Sequence, residues 1–401
     1  AAGAAATNGY FQHGYGPESK SMAGANTAIP MTSITSFTNP AVGVYLGTRY
    51  DIAAELFLPY DSYTITGAPS GASGALGLVP GKIESDANLF VMPHLGANFR
   101  IDDKSTAGVG LIAAGGMESE FPTSTFYGTS PTGVALMQGL VTASYSRVVT
   151  ENHSVGISLL LGGQQFEATG LEMMSNMSAD PTNVSNNGAS LAFGYGARVG
   201  YLGRIIPMLS VGASFQSKIY MTEFDEYAGL FAEQGDFDIP ATWNVGIALY
   251  PIKGIIIGVD VQQIMYSGVA AVGNSFASLL TGAQLGADKG PGFGWEDMTI
   301  VKVGAQWRAT EQLALRAGCS YGTQPIPDSE LMFNILAPAV TQMHVAVGGS
   351  WTLGCGNVIS VALSHAIAND VSGPHAMEVP GQQTIKIDMK QWDIEIGFTL
   401  K

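Results

Sequence analysis

The sequence predicts an all-β fold, a 14-stranded antiparallel transmembrane β-barrel, and three observations carry that expectation. First, apolar and polar residues alternate in many segments. In the terminal QWDIEIGFTLK, Trp392, Ile394, Ile396, Phe398 and Leu400 oppose Asp393, Glu395, Gly397 and Thr399, the two-faced pattern of a strand. Second, only 12% of the 401 residues are charged, against roughly 25% in an ordinary soluble protein, and 52 are glycine. Third, no uninterrupted run of about 18 apolar residues exists, so a membrane helix is not available. A hydrophobic chain without hydrophobic helices fits a closed sheet, which pairs every backbone group in lipid. Alternation then turns the apolar face to lipid and the polar face to the lumen.

Six short polar turns punctuate the chain: Arg100–Thr106, Val148–Ser154, Tyr201–Pro207, Tyr250–Gly254, Arg308–Gln312 and Leu353–Asn357. The opposite connections are long and rich in Gly, Pro, Ser and Asp. Short turns at one end and long loops at the other are the asymmetry of bacterial outer-membrane barrels. The six turns join twelve strands. One more precedes the first turn (Val42–Phe57) and one follows the last long loop (Gln391–Leu400), giving fourteen, with residues 42–401 forming the barrel. Trp243, Val245, Ile247 and Leu249 alternate with polar or small residues, as do Val303, Ala305 and Trp307, and Val345, Val347 and Trp351. The segment Gly254–Gly268 is apolar on both faces, which suggests a dry lumen.

A net charge of −15 argues against nucleic acid, which requires basic stripes. Cys319 falls within a strand and Cys355 in a turn at the opposite end, too far apart for a disulfide. The start AAGAAATNG lacks a charged n-region and an apolar h-region and reads as a mature terminus left by cleavage. Residues 1–41 hold aromatics (Tyr10, Phe11, Tyr15, Phe37) and few charges. A disordered tail has the reverse composition, so this segment is expected to pack inside the barrel.

The stretch GYGPESKSMAGANTA (Gly14–Ala28), followed by Asn39-Pro40-Ala41, resembles the N-terminal hatch of the FadL-type outer-membrane transporters of fatty acids and other hydrophobic compounds. PHLGANFRI with GVGLIAAGGMESEF resembles that family's second and third strands. IPATWNVGIALYPIKGIIIGVDVQQIMYSG resembles its eighth and ninth, and RAGCSYGTQPIPDSELMFNILAPAV its eleventh strand and following loop. The similarity spans essentially the whole chain. Its moderate length and sparse positive charge resemble the toluene-type aromatic-hydrocarbon branch more than the fatty-acid branch. The resemblance implies a hatch of residues 1–41 inside the barrel. It also implies ligand capture between extracellular loops, an internal pocket, and lateral exit into the membrane at a kink in the third strand.

Particular residues suit that scheme. A kink requires local loss of ladder bonds, which glycine permits. Gly115 and Gly116 stand where the family places its glycine before Glu120-Phe121. Asn39-Pro40-Ala41 matches the hatch motif, and the same residues make an ordinary Asx-Pro turn. Three loop stripes have helical spacing: Leu171, Met174 and Met177; Phe224, Tyr227, Leu230 and Phe231; and Phe276, Leu279 and Leu280. They either pack on one another or line a hydrophobic groove. Inward cations are few (Arg198, Lys302, Arg308, Arg316), and lumen arginines are expected to pair with carboxylates such as Asp393 and Glu395. An uncharged aromatic ligand needs none of these cations, whereas a fatty acid wants one for its carboxylate.

The six histidines (His13, His94, His153, His344, His365, His375) show no metal-ligand spacing, and no nucleophile elbow or phosphate loop is present. A triad built from distant strands would use His344 or His365. The expectation is therefore a monomeric, non-enzymatic transporter without cofactor or metal in the outer membrane of a Gram-negative bacterium. It is surrounded by lipid and lipopolysaccharide and passes small hydrophobic molecules such as toluene. Long-chain fatty acids are the alternative cargo. A water-filled porin and an outer-membrane hydrolase are the alternatives of another class.

Overall fold

The structure is a computed structural model and describes residues 8–401; the expectation about the AAGAAATNG start falls largely outside the described residues. Sixteen strands form one antiparallel sheet. Fourteen of them make the wall: β1 Arg49–Thr66, β2 Phe90–Arg100, β3 Ser105–Phe121, β4 Thr132–Thr150, β5 His153–Thr169, β6 Ser190–Ile206 and β7 Leu209–Gln216. The second half is β8 Thr242–Leu249, β9 Ile255–Ile264, β10 Met298–Arg308, β11 Leu313–Gly322, β12 Met343–Thr352, β13 Val358–Pro374 and β14 Thr384–Leu400. The remaining two, Gly81–Glu84 and Tyr220–Met221, are short additions above the rim.

β14 pairs with β1 from Tyr50↔Leu400 to Thr66↔Thr384, which closes the barrel. Closure is what allows the wall to sit in lipid, because it leaves no free edge around the ring. The alternation has the inverted sense expected of a membrane barrel. Trp392, Ile394, Ile396 and Leu400 are exposed on the outside, while Asp393, Glu395 and Thr399 are buried within.

Two strand boundaries differ from expectation. β1 begins at Arg49 rather than Val42, because Pro40–Tyr45 form a 3-10 helix whose N-cap is Asn39. β14 begins at Thr384 rather than Gln391, since its upper half continues as a ribbon with β1 and β13 above the apolar band. The segment Gly254–Gly268 also reads differently in three dimensions. Its strand stops at Ile264, and its inner face carries buried Asp260 and Gln262. That part of the lumen is dry because the hatch fills it, not because the wall is apolar on both faces.

Residues 8–43 are almost entirely buried inside the barrel. They lie directly on the wall at inward-facing glycines. An added Cβ would stand 2.3 Å from Thr27 O at Gly212, 2.6 Å from Ala25 O at Gly258, 2.7 Å from Met22 O at Gly304 and 2.1 Å from Asn39 Oδ1 at Gly200. No side chain can occupy such positions. Much of the glycine excess is thus the footprint of the hatch. Polar bonds add register: Thr27 N–H donates to Asp260 at 2.8 Å, and Asn39 Nδ2 donates to Thr27 O at 2.8 Å and to Tyr201 O at 2.9 Å. Pro40 rests on Gly156 and Gly200.

The outward face sets a measurable expectation. Ile396 is 55% exposed in the middle of the outward apolar row of β14. Ile396→Arg should destabilise the lipid-inserted barrel by about 2–4 kcal/mol, read as a lowered urea midpoint in lipid vesicles. The same change at inward Gly397, whose Cβ would meet Pro17 at 2.7 Å, should act by displacing the hatch instead.

Candidate functional site

The wall has a break between β2 and β3. The last rung joining them is His94↔Ile112. Above it, Phe90–Pro93 of β2 pair only with β1, and β3 from Ala113 upward pairs only with β4 among the barrel strands. At that height the β3–β4 register slips between Ala113 and Gly115, a bulge that bends the strand away from its neighbour. Pro93, facing the break, has no N–H to leave unpaired.

The start of the hatch supplies the bonds that β2 cannot. Gln12 Nε2 donates to Ala113 O at 2.9 Å and lies 3.3 Å from Met92 Sδ. Tyr15 Oη donates to Ala114 O at 3.3 Å. Gly116 N–H donates to Tyr10 O at 3.0 Å, and Phe11 forms a bridge with Gly115. Gly115 and Gly116, the pair expected at the kink, are where hatch and wall touch. A Cβ on Gly115 would fall 2.0 Å from Tyr10 O, so glycine is required there by close approach.

Inward of the break stands an aromatic cluster. The Tyr10 ring lies 5.1 Å from Tyr266, 5.5 Å from Phe11, 5.6 Å from Trp295 and 6.0 Å from Phe237, centroid to centroid. Tyr266 Oη donates to Asn8 O. Trp295 Nε1 donates to Asn334 Oδ1 at 2.6 Å, and Asn334 Nδ2 in turn donates to Phe293 O at 2.7 Å. A small cavity of about 20 Å³ is lined by Tyr10, Trp295 and Gly116. Above Trp295 the long loops enclose a second, apolar cavity of about 30 Å³.

The three loop stripes divide between packing and lining. Leu171, Met174, Leu230 and Phe231 line the upper cavity. Phe224 and Tyr227 are buried behind it, with Tyr227 edge-on to Phe166 at 4.8 Å. Phe276 packs edge-on against the cavity residue Phe333 at 4.8 Å. Met177 and Leu279 are partly buried at the periphery, and Leu280 points outward at 57% exposure. Glu330 pins this arrangement, accepting from Ser275 Oγ at 2.6 Å and from Phe276 N–H at 2.7 Å. Phe166, Trp295, Phe293 and Phe333 were not singled out by sequence, because they share no periodic stripe.

On the lipid side of the break lies a trough of about 340 Å³. Its floor is made of small residues on successive rungs: Ala113 faces Gly139, and Gly139 faces Gly163. Val91, Leu111, Met137, Leu191 and Phe193 form its walls. A Cβ on Gly139 would meet nothing nearer than Ile112 O at 3.8 Å, so these glycines leave open space rather than making room for a neighbour.

The lumen cations are engaged, though not as expected. Among the described residues no ion pair joins a lumen arginine to Asp393 or Glu395; Arg49 pairs with Asp51 at 2.7 Å instead. Arg198 bonds Gln216, Arg316 bonds Gln306 and Ser350, and Lys302 Nζ donates to His13 O at 3.0 Å. Arg308 lies at the short-turn end, in a polar pocket with Lys401. Hatch Lys20 forms a buried ion pair with Glu55 of β1, beside the buried Arg49–Asp51 pair of that strand, while Asp393 accepts from Ser364. Charge alternation could not reveal this, since the cation arrives from another segment. His344 lies 3.4 Å from Ser320 Oγ but stacks on His13, and His365 Nδ1 lies 2.7 Å from Gln391 O while the ring stacks on Trp392. Among the described residues no carboxylate contact orients either ring as a triad requires.

Residues 2–391 of the chain match the family model described as outer membrane protein transport protein (OMPP1/FadL/TodX). The chain belongs to the FadL/TodX family. It is an outer-membrane transporter of hydrophobic compounds and not an enzyme. No curated protein sequence matches it. The fold is shared with the Pseudomonas putida toluene transporter TodX (TM-score 0.71, 16% identity, covering 96% of this chain and 98% of that one). It is shared also with a Pseudomonas aeruginosa FadL homologue (0.73, 14%, 98% and 99%) and with the Ralstonia pickettii toluene transporter TbuX (0.62, 17%, 97% and 98%).

Two expectations follow for this FadL/TodX-family barrel. Gly115→Val should push residues 8–12 off β3 without preventing assembly. Planar-bilayer recordings should then show ion leakage at least several-fold above the parent, because the freed backbone groups attract water. In the loop joining β7 to β8, burial, with Asp238 and Glu233 nearby, raises the Asp236 pKa to about 7. A carboxyl whose folded pKa is raised stabilises the loop below its unfolded pKa, near 4, and that contribution is lost as pH rises through about 7. Hydrogen exchange of residues 217–241, corrected for intrinsic rates, should be slower at about pH 5 than at about pH 8. Asp236→Asn should remove that difference.

Proposed function

We propose that this transporter carries small uncharged hydrophobic molecules of monoaromatic size, such as toluene, from the loop cavity past Tyr10 and Trp295, and releases them sideways into the membrane through the β2–β3 break. The observation that carries the reading is the presence of three features in the same barrel. These are an apolar cavity among the loops, a wall break closed by polar bonds from the hatch rather than by a strand, and an apolar trough on the lipid side of that break. Lateral release keeps a hydrophobic solute out of water at every stage, so its transfer is downhill in free energy.

The size of the upper cavity adds a condition. It encloses about 30 Å³, whereas an apolar cavity that accepts benzene is on the order of 150 Å³. Capture therefore requires side chains to swing aside, and Met174 with its unbranched thioether is suited to that. Passage further requires Gln12 to leave Ala113 O. That leaves the amide and the Ala113 carbonyl unpaired, at a cost of about 1–3 kcal/mol each. The cavity lining offers no cation for a carboxylate head group, which favours an uncharged solute over a long-chain fatty acid.

Gly139→Trp and Gly163→Trp place an indole in the trough at positions with room for it. Both variants should assemble as heat-modifiable barrels, and toluene uptake by cells relying on them should fall about tenfold or more, since each closes the lipid-side mouth. Uptake at the parent rate by both would eliminate lateral release. Growth of the same cells on toluene and on oleate separates the cargo classes, and support of growth on oleate alone would overturn the monoaromatic assignment.

A further inference from the structure

Beside the wall break, on the other face of β2, the lumen holds a buried polar cluster that transport does not use. Glu55 of β1, His94 of β2 and Glu395 of β14 meet there, each at most 1% exposed. Their pairing registers bring them together: Glu55 faces Glu395 across the closing seam, and β2 lies on the other side of β1. His94 Nε2 stands 3.6 Å from Glu55 Oε2 and 3.7 Å from Glu395 Oε1, beyond hydrogen-bonding distance. Neither ring nitrogen of His94 and neither carboxylate oxygen of Glu395 has a hydrogen-bond partner, and Glu55 Oε2 also lacks one. Five such atoms converging in one buried place would be costly if nothing lay between them.

The charges point the same way. Glu55, Glu395 and the adjacent Asp393 bring three buried carboxyl groups together beside one cation, Lys20. A divalent cation would supply positive charge that the cluster lacks. Lys20 does not compete for its place, because it holds Oε1 of Glu55 and leaves Oε2 facing His94. Glu18, on the same hatch turn, is engaged elsewhere, accepting from Ser360 Oγ at 2.6 Å.

We propose that Glu55, His94 and Glu395 bind one divalent transition-metal ion of the zinc class between hatch and wall. One imidazole nitrogen with two carboxylates is a donor set that zinc accepts. Its ligand distances of about 2.0–2.2 Å place donor atoms about 3.4 Å apart in a tetrahedron, and the candidate donor atoms lie within 4.8 Å of one another. The side chains need to close in only modestly. The Tyr15 ring, edge-on to His94 at 6.2 Å, covers the site from the hatch side. The ion would tie β1, β2 and β14 together at His94, the last rung below the break, and through Glu55 and Lys20 it would fasten the hatch turn Pro17–Lys20 to the same place.

The test uses the folded full-length barrel in detergent, stripped with chelator, refolded in the presence of Zn²⁺ and desalted, with metal measured by mass spectrometry. The parent should retain about one Zn²⁺ per chain, and Co²⁺ in its place should give the visible absorption of a low-coordinate nitrogen–oxygen site. His94→Asn and Glu395→Gln, checked for heat-modifiable assembly, should bind roughly 100-fold more weakly or not at all. Retention of less than about 0.1 equivalent by the parent would overturn the proposal. Equal retention by both variants, which would mark the metal as surface-bound, would overturn it as well. If a variant fails to assemble, the parent's stoichiometry and cobalt spectrum decide.

Discussion

A strand edge inside a bilayer has no water to bond, so each backbone N–H and C=O there must find a partner in the protein. That constraint governs this molecule. The β14–β1 seam satisfies it around the ring, and at the one place where β2 and β3 part, the hatch satisfies it instead. Gln12, Tyr15 and the Tyr10 carbonyl take over bonds that a neighbouring strand would have made. A ladder of strand bonds is cooperative and permanent, whereas a few bonds from a separate segment can be exchanged singly. The lateral release proposed above uses that place.

Elsewhere the hatch is held firmly against the wall. Inward glycines let its backbone lie on the wall at Gly212, Gly258, Gly304 and Gly200, and Asp260, Asn39 and the Lys20–Glu55 pair set its position. Replacing any of these glycines with a larger residue would lift the segment and misalign its first residues with β3. Firm seating along most of the hatch and light bonding at its start are thus two parts of one arrangement. The buried cluster around His94 lies where they meet, since β2 is paired on both sides below that residue and on one side above it.

The loops follow a different logic. Leu171, Met174, Leu230 and Phe231 face a cavity among the loops rather than solvent, and buried Glu330 joins two of the loops through bonds to Ser275 and Phe276. Tyr227, Phe224 and Phe276 serve as packing behind residues that touch the cavity. Groove lining and mutual packing, alternatives when read from spacing alone, are both present because the stripes have two apolar sides once folded.

By itself the sequence determined the wall: strand number, the six short turns, and which residues face outward, because period-two alternation and turn composition are local properties. It also marked Gly115, Gly116 and Asn39-Pro40-Ala41. It misplaced the start of β1, since the cap at Asn39 converts an alternating stretch into a 3-10 turn. Only the tertiary structure decided what fills the break, which aromatics stand between loops and wall, and that Lys20 of the hatch meets Glu55 of the wall. Those contacts join residues tens to hundreds of positions apart, and Glu55, His94 and Glu395 come from three strands, so no spacing along the chain could reveal them.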